Sequence, residues 1–328
     1  MAKSRVTIVG TGLVGGSIGL ALKKSRIELE VIGHDKDTSA ASRAQKRGAV
    51  DSTKWNLIDA CQGAGLIILA IPLDGIKSTL DALKPHLQPG VILTDTATTK
   101  APVLEWASQL GAGIHYIGGN PILKRERANG VHGIDGADAD LFRGAIYCLM
   151  PATNAAPDAI ETMSNFVSLL GAKPYFIDAV EHDGLMAGTR HWPVLRARAL
   201  AAATMDSPSW RERSKLASAD FRAATNLAPT NPQAGREELM AHREALIAWT
   251  DTLVDKLTEL RGMLERQDAA ALESLMEKIA SQRAKWLSGA STEDSVPVDW
   301  EAAQFNVSRL FIGGLADRGK KLKPKGRG

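Results

Sequence analysis

Three glycines mark the clearest chemistry in this chain. Gly10, Gly12 and Gly15 stand as G-x-G-x-x-G in the run VTIVGTGLVGGSIGLAL, between a β-rich stretch and an apolar helical one. In that context Gly10 permits a tight turn, Gly12 lets a pyrophosphate approach the backbone, and Gly15 allows close helix–strand packing. The phosphates then meet the free N–H groups of Leu13 and Val14 at the helix N-terminus, where the dipole favours anions. Asp35 follows Gly15 by 20 residues, at the end of the second β-rich stretch. A carboxylate there accepts the ribose hydroxyls and repels a 2′-phosphate, which favours NAD over NADP. Lys36, beside the acid, leaves NADP use open. The bland alternative is a glycine turn in an α/β domain that binds nothing, with Asp35 as a helix cap.

Two further segments have the right place for a crevice. Ala70-Ile71-Pro72 follows a third β-rich run, and Asp95-Thr96-Ala97-Thr98-Thr99-Lys100 follows a fourth. Ligands of open α/β sheets bind outside the carboxyl ends of strands, so Ala70, Ile71, Pro72 and Thr96 are expected to line the cofactor and Thr98 the substrate. Thr98 reads equally well as the cap of a helix starting near Ala101. No metal-ligand spacing and no nucleophile–base pairing stand out.

The elements that must position these residues divide the chain in two. Strands are expected at Val6–Val9, Leu29–Ile32, Leu66–Ala70, Val91–Thr94, Tyr116–Ile117, Ala145–Leu149 and Pro174–Ile177. Helices such as Leu13–Lys24, Ser39–Arg47, Gly75–Leu83 and Pro102–Leu110 lie between them. This alternation implies a mostly parallel, doubly wound sheet covered on both faces: a Rossmann domain over 1–178. Residues 179–316 read as an all-α domain, with helices over 180–206, 208–226, 233–263 and 267–288, the last capped by Asp268. Pro229 and Pro232 punctuate the junction before the third. That long helix carries Leu246, Trp249, Leu253, Leu257 and Leu260 as a stripe, expected to join two copies into a homodimer. Gly289–Pro297 reads as a linker and 317–328 as a basic, disordered tail.

Composition sets the remaining bounds. The net charge is +3, but six positive charges lie from Arg318 onward, which leaves the body near −3 and argues against a nucleic-acid surface. No long apolar run suggests a membrane span, and the start runs directly into a strand without a signal peptide. Two cysteines, Cys61 and Cys148, sit by apolar segments and are expected as buried thiols in a cytoplasmic protein.

Several ordered segments together make the chain resemble the prephenate and arogenate dehydrogenase family. They are GTGLVGGS at Gly10–Ser17, AIP at Ala70–Pro72, TDTATTKAPV at Thr94–Val103, GGNP at Gly118–Pro121, GADADLFRGAIYCLMP at Gly136–Pro151, VEHDGLMAGTRHWP at Val180–Pro193 and FRAATN at Phe221–Asn226. The resemblance implies a Rossmann domain followed by a helical dimerisation domain, with the site between them. It also implies oxidative decarboxylation: hydride passes from the hydroxyl-bearing ring carbon to the nicotinamide, carbon dioxide leaves, and the ring becomes aromatic, in tyrosine biosynthesis.

The departures bear on the chemistry. The histidine of the family's GGHP, which accepts the substrate hydroxyl's hydrogen bond, is Asn120 here. Its serine after the fourth strand is Thr98. The first histidine of SHLPH is kept as His191, whereas the second is Val194. The arginine ending FRDxTR, a carboxylate ligand, is Asn226. Asparagine can hold a hydroxyl but cannot take its proton at neutral pH, which makes His191 the best remaining base. An anionic substrate needs cations, for which Lys124, Arg125, Arg190 and Arg222 are candidates. His115, His182 and His242 have weaker claims, since nothing in the sequence places them in a cleft. Two alternatives stand beside the dehydrogenase reading: another small anionic substrate on the same scaffold, and a nucleotide-binding homodimer without turnover.

Overall fold

The computed structural model describes residues 4–123, 133–226 and 232–288, apart from the side chains of 232–234. The Lys124 and Arg125 candidates, Pro229, the Gly289–Pro297 linker and the basic tail lie outside the described residues. Two compact units emerge, one running to His242 and one starting at Arg243.

The first unit is organised on an eight-stranded sheet in the order β3-β2-β1-β4-β5-β6-β7-β8. The strands are β1 Ser4–Val9, β2 Leu29–His34, β3 Ser52–Thr53, β4 Leu66–Leu69, β5 Ile92–Asp95, β6 His115–Ile122, β7 Ile146–Pro151 and β8 Lys173–Phe176. All neighbours pair in parallel except β6 with β7. The chain therefore winds outward both ways from the gap between β1 and β4, the switch point where such sheets bind ligands. Side chains alternate between two cores, as the pleat requires. Val6, Ile8, Leu66 and Ile68 join Ile18, Leu22, Phe142 and Phe166 on one face. Val9, Ile67 and Leu69 join Ile76, Leu80, Val103 and Tyr116 on the other.

The covering helices are α1 Leu13–Lys24, α2 Thr38–Lys46, α3 Leu57–Cys61, α4 Leu73–Leu83, α5 Ala101–Ala107 and α6 Pro157–Leu169. The short β3 and the full length of β6 exceed the sequence expectation. Gly-Gly-Asn-Pro reads as a turn, yet β6 runs through it and pairs Asn120 with Cys148. Gly119 makes this workable, because a Cβ there would sit 2.6 Å from the Asp95 carbonyl.

After the sheet come α7 Ala179–Met186, a π turn at Ala187–His191, α8 Trp192–Met205, α9 Trp210–Arg213, α10 Ala219–Thr225 and α11 Pro232–Ala241. The helix expected over 208–226 is broken: a 3-10 turn at Ser214–Leu216 intervenes, and Ser218 then caps α10. The one expected over 233–263 is likewise two helices, with His242 between them.

The second unit pairs α12 Arg243–Glu265 with α13 Ala269–Leu287. Asp268 caps α13 by accepting from the Ala271 N–H at 3.0 Å, as expected. Of the predicted stripe, Leu246 is buried, Leu253 and Leu260 are half-buried, and Trp249 and Leu257 stand exposed in the single chain. Ile247, Val254, Ile279 and Trp286 are exposed as well. So much apolar surface on one helical hairpin is the signature of an assembly face.

Candidate active site

The glycine turn has the form its sequence implies. Gly10 has φ +91°, and a Cβ there would lie 2.3 Å from the Ala70 carbonyl oxygen. A Cβ on Gly15 would lie 1.9 Å from the Gly10 oxygen, whereas one on Gly12 would meet nothing within 4 Å. The chain is thus clamped at Gly10 and Gly15 and open at Gly12, where a ligand must approach. No side chain caps α1, and its first turn holds no acid. The half-buried Leu13 and Val14 begin that turn. Asp35 follows β2 and closes over the loop: one oxygen accepts from the Thr11 N–H at 2.8 Å and its hydroxyl at 3.1 Å. The other accepts from the Asp37 N–H at 3.0 Å. Asp37, and not Asp35, is the residue that caps α2. Half-buried Ala70 and Ile71, with exposed Pro72, continue from β4, and Thr96 from β5 donates its N–H to the Leu69 carbonyl at 3.1 Å. These segments gather at the switch point, and an open, uncapped helix start beside a carboxylate fits a dinucleotide.

Beside this cradle the fold assembles a second group of side chains. Its base is a buried brace behind β5 and β6. Lys100 Nζ donates to Asp95 Oδ1 and, at 2.6 Å, to the Gly119 carbonyl. The Tyr116 hydroxyl donates to Asp95 Oδ2 at 2.7 Å. The brace holds β6 in place where it presents Asn120, which is 2% exposed. Asn120 Nδ2 lies 2.9 Å from His182 Nε2, and His182 Nδ1 lies 2.9 Å from Asp183 Oδ1. Asp183 also accepts from the Lys100 N–H at 2.8 Å and the Ala101 N–H at 2.8 Å. Asp183 thus does what the sequence offered to Thr98: a carboxylate from α7 satisfies the start of α5. Burial would raise the Asp183 carboxyl, but the hydrogen bonds from His182, Ala101 and Lys100 outweigh it and hold it below the usual range.

Thr98 is thereby free for other work. Its hydroxyl donates to Glu238 Oε1 on α11 at 3.3 Å. The Thr99 hydroxyl lies 2.9 Å from His242 Nε2. His191, set by the π turn, stacks on His242 with ring centroids 4.0 Å apart and planes 22° from parallel. Burial, then the charges of His242 and Arg190, push His191 down to about 4, so the ring is neutral at neutral pH. One hydrogen bond ties it to the Thr98 backbone, whereas its Nε2 is buried with no partner. Burial lowers His242 as well.

Thr98, Asn120 and His191, expected together, are joined to one connected group through Lys100, Asp183 and Thr99. His182 and His242 belong to it too, against the sequence expectation. The only hint for His182 was its place in the VEHD segment; nothing in the sequence pointed to His242. His115 sits apart at the start of β6, accepting from the Ala156 N–H at 3.3 Å. Arg190, Arg222 and Asn226 are exposed, and among the described residues no hydrogen bond ties them to the group. Both cysteines are free and buried. Among the described residues no group of His, Cys, Asp and Glu has a metal-holding arrangement, and no helix is long and apolar enough to cross a membrane.

Comparison with known proteins gives a consistent result. Residues 18–176 match the family described as prephenate dehydrogenase, nucleotide-binding domain, and residues 178–278 match prephenate dehydrogenase, dimerization domain. The chain is 31% identical over 281 residues to the prephenate dehydrogenase of Lactococcus lactis subsp. cremoris (strain MG1363), covering 84% of this chain and 75% of that one. Among solved structures it is similar to Synechocystis arogenate dehydrogenase, with a TM-score of 0.70 and 30% identity over 86% of this chain and 99% of that one. The prephenate dehydrogenase from A. aeolicus, solved with hydroxyphenyl propionate and NAD+, superimposes with a TM-score of 0.77 at 19% identity, over 87% and 99% of the two chains. At that identity the likeness is one of fold.

Proposed function

This chain belongs to the prephenate dehydrogenase family, and from that membership and the site's geometry we infer that it is an NAD-dependent oxidoreductase acting on prephenate or its amino counterpart arogenate. Such a reaction serves tyrosine biosynthesis. The observation that carries the reading is the unpartnered, buried Nε2 of His191 beside Thr98, in a group that reaches Asn120. A buried acceptor without a partner costs about 1–3 kcal/mol, and a bound ligand can satisfy it.

Bound NAD supplies the hydride acceptor. Gly10, Gly12, Gly15, Leu13 and Val14 would hold its pyrophosphate and Asp35 its ribose, with Ala70, Ile71, Pro72 and Thr96 along the crevice. Asn120 would hold the substrate hydroxyl, with Thr98 and His191 flanking it. His191 keeps its role as a hydrogen-bond acceptor; at about 4 it is a weaker base than its type suggests. Arg190, Arg222 and Asn226, with Lys124 and Arg125, remain our candidates for the substrate's carboxylates. We keep 1–178 as the cofactor domain, 179–316 as the substrate and subunit domain and 317–328 as a dispensable tail. We propose a cytoplasmic homodimer formed through the C-terminal helices.

Steady-state NADH formation with prephenate, arogenate and a panel of small hydroxy acids tests the reading. Turnover is expected with one of the two cyclohexadienyl acids, and His191→Ala should lower kcat about 100-fold. In light scattering the active species should have twice the 35.0 kDa chain mass. Brisk turnover of an unrelated hydroxy acid, with none of either cyclohexadienyl acid, would move the substrate assignment elsewhere.

A further inference from the structure

Asn120, His182 and Asp183 form a line of hydrogen bonds that ends on a carboxylate. Asp183 accepts the hydrogen on His182 Nδ1, which leaves Nε2 to accept from the Asn120 amide. The amide oxygen is then the end of Asn120 left to accept from a ligand. All three residues are buried, with exposures of 2%, 2% and 9%. Asp183 cannot swing away, because the Lys100 and Ala101 N–H groups hold both of its oxygens. Every donor in the line points toward the carboxylate, and hydrogen bonds aligned in one direction strengthen each other in a dry interior.

We propose that His182, backed by Asp183, is a positioning and polarising residue for Asn120, and that this relay takes the place of a base at the substrate hydroxyl. The inference rests on the reading above. The electron balance is what makes an amide sufficient. Hydride leaves the carbinol carbon with its electron pair and reduces the nicotinamide. The bond from the ring to its carboxylate breaks, its pair completes the aromatic ring, and carbon dioxide departs. The O–H bond survives, because the product is a phenol. The hydroxyl therefore needs a strong acceptor while positive charge develops on its carbon, but no group need keep its proton. An amide oxygen made more negative through His182 and Asp183 meets that requirement. A lone amide, free to flip its oxygen and nitrogen, meets it poorly.

The test is a double-mutant cycle on the full-length enzyme with NAD and whichever cyclohexadienyl acid it turns over. His182→Ala and Asn120→Ala should each lower kcat about 10–100-fold with KM changed less than about threefold. The double variant should be no slower than Asn120→Ala alone, since His182 acts only through the amide. His182→Gln, whose side-chain oxygen can accept from the amide, should recover about half of the loss on a logarithmic scale. Binding of NAD and of 4-hydroxyphenylpropionate, measured by calorimetry, serves as the check on folding. Both should stay within about threefold of the parent. Additive losses, or a His182→Ala variant as fast as the parent, would overturn the relay alone. No turnover of either acid by the parent enzyme would overturn the substrate reading and the relay with it.

Discussion

The cofactor cradle and the side-chain group beside it share one sheet edge but are made of different material. The cradle is mostly backbone: a glycine with φ +91°, an uncapped helix start, and a carboxylate that closes the turn from the next strand. These three parts lie within the first 35 residues, with Ala70–Pro72 and Thr96 closing the crevice beside them. The second group is mostly side chain, drawn from the loop after β5, from β6, α7, a π turn, α11 and the break after it. Thr98 and Glu238 meet across 140 residues of chain, and Thr99 and His242 across 143. Backbone geometry tolerates change in neighbouring side chains but not in its glycines. A side-chain group can exchange a histidine for Asn120 and still close its hydrogen bonds.

The largest effect expected from this contrast is at Gly15. A valine there drives its Cβ into the Gly10 carbonyl at 1.9 Å, with backbone on both sides of the collision. NAD affinity measured by calorimetry should fall more than about 100-fold, as phosphate contacts at the helix start are lost. Affinity within tenfold of the parent would mean that the turn is softer than the contrast requires.

The side-chain group should instead be sensitive to acid. His191 is held near 4 in the folded chain, below its ordinary value of about 6.5. Between those values the unfolded chain binds a proton that the folded chain refuses. Stability therefore rises with pH through this window and is lost as pH falls from about 6.5 toward 4. His242, lowered in the same direction, adds to the slope. Thermal melts at pH 7 and pH 4.5 should differ by on the order of 5 °C more in the parent than in His191→Gln. Equal slopes for the two proteins would remove His191 as the cause.

A smaller effect is expected at Asp35, where electrostatics acts on top of an intact turn. Asp35→Ser should narrow the preference for NAD over NADP about tenfold, through loss of repulsion toward the 2′-phosphate. Its hydrogen bonds to Thr11 and Asp37 are short and local, and serine can replace them only in part. A parent that binds NADP as tightly as NAD would cancel the comparison at this position.

The same contrast explains what could be read from residues alone. α1 begins and ends where its glycines and apolar spacing put it, because the signal is contiguous. β6 was legible only at Tyr116 and Ile117, since Gly118-Gly119-Asn120-Pro121 carries turn propensity that the sheet overrides. His182 and His242 gave no periodic signal; their roles exist only once α7 docks on α5 and α11 ends beside Thr99. Thr98 read equally well as a cap or as a substrate contact, and residues nearby could not decide between them. α5 starts at Ala101, so the cap position falls on Lys100, whose N–H goes to a carboxylate 83 residues away.

The π turn at Ala187–His191 also sets an angle. In an α-helix each residue advances the face by about 100°. A π turn holds one residue more than the α turn it replaces, so α7 and α8 form a single rod whose second half is out of phase with its first. Ahead of the offset the rod turns His182 and Asp183 inward; at the offset it turns His191 inward; beyond it, Val194 and Ala197. With one residue removed there, such as Gly188, the rod would regain a continuous α phase. Either the carboxylate that seats α5 or the buried apolar pair of α8 would then rotate out of the interior. The extra residue acts as a gear tooth between two parts of the molecule that must both face the same way.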